Sequence, residues 1–477
     1  MITRTIFDFA ARQPDKTALV HNGQAFSYGA FATRIATARG LFARLGCTGP
    51  GVAALALTNI LDFWSFSLAL RSLGLTTVAV PSPQGLGELG LPDLRLVVAS
   101  AVETWPGLIE ACESLGVGLL SVASLDGEAP LGLDADTVHG GHILQTSGTT
   151  GVHKKVLIDP SFEEGFMRHR RQVAGIGQDA VVACFSFGGW NGAGYKSPVS
   201  TWFAGATVTV DQGPATHLSL FEPGVTHATI IPSLLAAMLA EPEGAFPRRE
   251  FLRLSVTSGT VTQDQIDQTK ARITPLFFNR IGATEVGSFA STRLNTLDDH
   301  RWHQLASDVQ IVDEHDQPVA VGEVGRVRVS AAGGPTGYLH DPETTRAFFK
   351  DGYFYPGDLA VFRADGRMAL QGRVTGVINV AGQKISPEPI EDALRQALGV
   401  TGACLVSAQD AAGEEALHLV IETPAPLDLA MLTAVLQREL GGFPGVHVHY
   451  APALPRNDMG KMLRQAITAL ATGAGKT

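Results

Sequence analysis

The run GVAALAL at 51–57, followed by NILDFWSFSLALRSLG at 59–74 and TTVAV at 76–80, most constrains the fold. Two short apolar runs flank a segment with helical spacing. Parallel strands need a crossover of a dozen or more residues, usually a helix, so this reads as strand–helix–strand feeding a parallel sheet. The same texture returns at AVVACF (180–185), ATVTV (206–210), ATII (228–231) and LRLSVTSG (252–259). Roughly the first 370 residues therefore read as a large body of α/β layers.

The texture changes at VQIVDEHDQPVAVGEVGRVRVS (309–330), where alternating β character is broken by turn residues. This predicts an antiparallel β subdomain. Beyond GRVTG (372–376), a Pro-bounded helix start at 387–390 and the amphipathic LAMLTAVLQREL (429–440) predict a compact α+β tail. A boundary near 374 gives two domains, 1–374 and 375–477. A chain of 477 residues is too long for one core, which fits that division.

The net charge of −10, without a long basic run, argues against nucleic acid as a partner. The cysteines, Cys47, Cys112, Cys184 and Cys404, are scattered and form no CxxC pair. A disulfide framework or zinc site is not expected, and a reducing cytoplasm fits. The apolar region 52–80 is interrupted by Asn59, Asp62 and Arg71, so no membrane span is expected.

The chemistry starts at LQTSGTTGVHKKV (144–156). A loop of Ser, Thr and Gly can gather backbone N–H groups and hydroxyls around an anion, and a lysine adds a point charge. Alone it is equally a polar turn. The terminal GAGKT (473–477) is a decoy, since Leu470 stands where the first glycine of a P-loop is needed.

Four further motifs follow in order: NRIGATE (279–285), YPGDL (355–359), GRVTGVINVAGQKISPEPIE (372–391) and PRNDMGK (455–461). With TSGTTGVHK at 146–154, the series resembles the adenylate-forming superfamily of acyl-CoA synthetases, luciferases and peptide-synthetase adenylation domains. The resemblance covers nearly the whole chain. It implies ATP-dependent activation of a carboxylic acid to an acyl-adenylate, then transfer to a pantetheine thiol.

It also implies roles. Thr146, Ser147, Gly148, Thr149, Thr150, Gly151 and Lys154 would hold the β- and γ-phosphates. Thr284 would touch the α-phosphate, beside Gly282, and Glu285 would ligate Mg²⁺. Asp358 would accept from the ribose hydroxyls, with Arg373 beside it. Lys461 would bridge the substrate carboxylate and the α-phosphate. The small domain would rotate about a hinge at Thr375, bringing Gly382 and Lys384 to the thiol arm of CoA or of a carrier protein.

The chain departs from the family pattern at His153, Lys155, Ile281, Pro356 and Thr375. These departures motivate a non-catalytic nucleotide binder as the competing reading. Survival of Lys154, Glu285, Asp358, Arg373 and Lys461 favours catalysis. FSFGGWNGAGYKS (185–197) holds no acidic residue to bind an α-ammonium group, so an α-amino acid substrate is not expected. Trp190, Asn191, Gly192 and Tyr195 are candidates for one wall of the acyl pocket. Ser258, Gly259 and Thr260 are candidates for the opposite wall, and a bulky Trp beside glycines suggests an aryl or short-chain acid.

Overall fold

The strand–helix–strand reading of residues 51–80 is realised. Val52–Ala56 is a strand with all five residues buried, as expected of a central parallel strand covered on both faces. Asn59 caps the following helix, Ile60–Arg71, by accepting from Leu61 N–H and Asp62 N–H. Thr76–Ala79 returns parallel to Val52–Ala56.

The computed structural model describes residues 1–100, 105–146, 154–185, 192–213, 220–222, 224–376, 378–380, 383–409, 415–423, 427, 429–440, 446–457 and 462–472. Contacts divide the chain into two compact units. The first comprises Met1–Ala228, Ala283–Ser288 and Ala331–Phe354, and the second Thr229–Gly282, Phe289–Ser330 and Tyr355–Thr477.

In the first unit six strands lie in the order Gly118–Val122, Leu94–Ser100, Val52–Ala56, Thr76–Ala79, His142–Thr146, Lys154–Ile158. All neighbours are parallel except the last pair, which is antiparallel. A further group pairs Thr17–His21 with Thr207–Val210, and that strand with Val181–Ala183, again in parallel. Between these layers Trp202 meets Phe31 and Trp64, with ring centroids 5.0 and 5.2 Å apart. Both indole N–H groups are satisfied, Trp64 on Gly194 O and Trp202 on Ala18 O.

In the second unit Arg253–Thr257 pairs in parallel with residues 277–280 of strand Phe277–Ala283. The expected antiparallel subdomain is Val309–Val312, Val324–Ser330, Asp358–Phe362 and Met368–Arg373. The α+β tail follows. Strands Gly402–Gln409, Glu415–Glu422 and Val446–Ala451 form one sheet, and helices Pro387–Leu398, Leu429–Leu440 and Arg464–Thr472 complete it. Its core gathers Ile390, Leu394, Leu405, Leu419 and Leu432. Arg464 grips the buried Glu391 carboxylate through both oxygens, at 2.8 and 2.9 Å. All four cysteines are free. Among the described residues no helix is long and apolar enough to cross a membrane.

Candidate active site

Both ends of the serine-, threonine- and glycine-rich stretch are held by one hairpin. Strand His142–Thr146 runs antiparallel to Lys154–Ile158, and Thr146 stands opposite Lys154. Ser147, Gly148, Thr149, Thr150 and Gly151 lie outside the described residues, as do Trp190, Asn191, Gly382 and Lys461.

The Lys154 ammonium lies 3.4 Å from the Phe348 ring centroid and 5.1 Å from that of Tyr338. Aromatic faces attract a cation without neutralising it. On the same Tyr338, the hydroxyl donates to Glu285 Oε1 at 2.7 Å. Burial, and then the Glu285 charge, holds the Tyr338 hydroxyl above its usual pKa, so it stays a donor. Glu285 is itself buried. Tyr338 thus links the charged residues of two motifs far apart in sequence.

Thr284 and Glu285 occupy the turn after strand Phe277–Ala283. Lys196, from helix Gly192–Phe203, reaches this turn. Its buried ammonium lies 3.4 Å from Ala283 O and 3.3 Å from Thr284 O. Burial, then the nearby Arg170 charge, pushes its pKa down to about 7 against an opposing pull from Glu285. Gly192 starts the same helix. A Cβ there would sit 2.9 Å from Lys196 Cε and 3.4 Å from Thr284 Oγ1, so a larger residue would crowd the lysine.

Tyr195, a candidate for the acyl pocket, is fully buried between Arg71 and Glu163, with its hydroxyl bonded to both. Its ring stacks on His142 with centroids 4.0 Å apart. Tyr195 is therefore part of the scaffold under the next residue, Lys196.

In the second unit Asp358 and Arg373 face each other across paired strands. Arg373 Nε meets Asp358 Oδ1 at 2.7 Å, and Nη1 donates to Pro356 O at 2.8 Å. The preceding Gly357 has φ +81°, the left-handed conformation that glycine adopts without strain. The turn thus presents an oriented, nearly buried carboxylate.

Ser258 also has a left-handed φ, +66°, strained for a residue with a side chain. Gly259 packs so close to Pro232 that a Cβ would come within 2.8 Å of its Cγ. Thr260 Oγ1 accepts from Arg395 Nη2 at 3.0 Å. Gly282 lies in strand Phe277–Ala283. Thr375 falls in a short 3₁₀ turn, Val374–Gly376, and Lys384 pairs with Asn379 in the hairpin Ile378–Val380/Gln383–Ile385.

A single carboxylate suits a hard cation shared with phosphate oxygens. Glu285 fits that use: Oε1 takes the Tyr338 hydroxyl, while Oε2 receives no hydrogen bond from a described residue. Tyr338, Phe348, Lys196 and Arg170 were not found from the sequence. Tyr338 and Phe348 sit in no motif, and only the fold brings them to Lys154 and Glu285. Lys196 lies within the quoted stretch 185–197, where no feature marked it.

The AMP-binding enzyme family matches residues 141–339. The long-chain-fatty-acid–CoA ligase of Salmonella typhimurium is 29% identical over 258 aligned positions, 52% of this chain. The match spans about half of that ligase, 46%. The 4-hydroxybenzoate–CoA/benzoate–CoA ligase of Rhodopseudomonas palustris is 26% identical over 499 aligned positions, 96% of this chain and 91% of the relative. Among solved structures, ATP-bound MatB from Rhodopseudomonas palustris superposes with a TM-score of 0.83 at 20% identity, over 100% of this chain and 99% of the other.

Proposed function

From the premise that the chain is a member of the adenylate-forming superfamily, we propose that it activates a carboxylic acid with ATP and passes the acyl group to a pantetheine thiol, that of CoA. The observation that carries this reading is Tyr338, whose ring faces Lys154 while its hydroxyl holds Glu285. It sets a cation for phosphate and a carboxylate for a metal ion in one cluster.

The acid's carboxylate oxygen attacks the α-phosphorus, pyrophosphate departs, and the thiol then displaces AMP from the acyl-adenylate. Both steps build charge on non-bridging oxygens, which fixed cations and N–H donors stabilise. Thr146 to Gly151 and Lys154 take the β- and γ-phosphates, and Thr284 the α-phosphate. Glu285 holds Mg²⁺, which when bound offsets charge on the phosphates. Asp358, oriented by Arg373, accepts from the ribose hydroxyls. Lys461 bridges the carboxylate and the α-phosphate. Residues 375–477 act as the mobile domain, turning at Thr375 so that Gly382 and Lys384 meet the thiol arm. The protein works in the cytoplasm, where ATP and CoA are available.

An ATP–pyrophosphate exchange assay over a panel of acids tests this reading. Acid-dependent exchange is expected, and ATP binding without exchange for any acid would favour a non-catalytic binder. Lys461→Ala is expected to slow exchange by roughly 10²–10³-fold, the scale of one lost transition-state donor. A preformed acyl-adenylate should still react with thiol in that variant. An equal fall in both half-reactions would remove the assigned role.

A further inference from the structure

Among the described residues Lys196 has company but no counter-ion in hydrogen-bonding contact. Arg170 lies on helix Pro160–Ala174, one turn after Phe166, whose ring centroid is 5.7 Å from the Lys196 ammonium, so Arg170 shares the helix face turned towards Lys196, and its charge is felt there. Arg170 is half-buried and makes no hydrogen bond or ion pair with any described residue. Its other electrostatic neighbour is the buried thiol of Cys184, which burial pushes up to about 11 and so leaves uncharged at neutral pH. Among the described residues Lys196 has the two long contacts to backbone carbonyls, and its ammonium lies over the Phe166 ring, 5.7 Å from the centroid. Glu285 influences it electrostatically without forming an ion pair.

A buried ammonium beside a half-buried guanidinium is costly. Guanidinium cannot shed its proton, and a buried charge without a partner costs several kcal/mol. A fold keeps such an arrangement where a ligand supplies the missing anion. The surroundings are Phe166, Cys184 and Gly192, an apolar and small-residue lining unlike the hydroxyl-rich hairpin end at Thr146. The cations also sit on different elements from Lys154. Lys196 stands beside Thr284 and Gly192, where the reacting acid would lie in the reading above.

We propose that Arg170 and Lys196 form an anion seat for a second negatively charged group on the acid being activated, so that short dianionic acids are the preferred substrate class. The proposal rests on the acid-activating reading above and deepens it.

Exchange kinetics with matched pairs test it: succinate against butyrate, and malonate against propionate. In the wild type the dianion of each pair should have the higher kcat/KM. Arg170→Gln and Lys196→Met should each lower the dianion-to-monoanion ratio by roughly 10–100-fold, the scale of one charge-assisted hydrogen bond. KM for ATP serves as the internal control. A wild-type preference for the monoanions, or a ratio unmoved in both variants, overturns the proposal. So does a rise in KM for ATP in place of the change in ratio, because that would assign the pair to phosphate. If one variant does not fold, the wild-type preference and the other variant still decide. Calorimetry with succinate separates the two readings. Succinate binding that depends on Arg170 and Lys196, without exchange, would remove the catalytic reading and keep the seat. No succinate binding would remove the seat whatever the exchange result.

Discussion

Tyr195 and Lys196 are adjacent on one helix, and Glu163 and Arg170 share another, yet they serve two opposite electrostatic designs. On one side Arg71, Glu163 and Tyr195 form a closed network. Arg71 meets both Glu163 oxygens at 3.0 Å and donates through Nε to Gly140 O at 3.0 Å. Burial opposes the Arg71 charge, but the Glu163 carboxylate more than compensates and holds its pKa above the usual arginine value. On the other side buried Lys196 and half-buried Arg170 have no ion-pair partner among the described residues. A satisfied buried charge is scaffold, and an unsatisfied one marks a site.

Substitutions should separate the two sides. Arg71→Met leaves Glu163 buried and uncompensated, and is expected to cost about 3–5 kcal/mol by denaturant titration. A cost below about 1 kcal/mol would mean that the network is not structural.

Lys196→Met should act in the opposite direction. The folded-state pKa, about 7, lies below the ordinary 10.5. Between these values the unfolded chain holds a proton that the folded chain has released, so the penalty for burying the charge fades as pH rises. The variant's stability advantage should be largest at or below pH 7. It should shrink by about 1.4 kcal/mol per pH unit from 7 towards 10.5. A wild-type-minus-variant difference that stays flat across this window would place Lys196 with the satisfied charges.

Tyr338→Phe is the mildest cut. Losing one hydroxyl bond to Glu285 should cost about 1–3 kcal/mol, because the buried carboxylate keeps an unmet acceptor. It should also raise the magnesium requirement of exchange. Unchanged magnesium dependence would detach Tyr338 from the metal side.

The layers of the fold were legible in the sequence because their signals are local. Val52–Ala56 is a continuous apolar run, Asn59 marks a helix start, and Pro387 begins another helix. The charged motif residues Lys154, Glu285, Asp358 and Arg373 were singled out through the resemblance of their motifs to the adenylate-forming superfamily. What holds and tunes them was not. Tyr338 reaches Glu285 across 53 residues, and Lys196 touches Thr284 across 88. No local pattern encodes such contacts. The setting of Tyr195 was not legible for the same reason: only the fold brings its hydroxyl to Arg71 and Glu163.

The magnesium dependence of ATP–pyrophosphate exchange in the wild type and in Glu285→Gln tests the central claim most directly. Glu285 is taken as the metal-holding carboxylate of an adenylating site. The half-saturating magnesium concentration should rise by roughly tenfold or more in the variant, the scale of one lost charged interaction, with the fold intact by thermal melting. Equal magnesium dependence in the two proteins would contradict the assignment of Glu285 and, with it, the reading of the Lys154–Tyr338–Glu285 cluster.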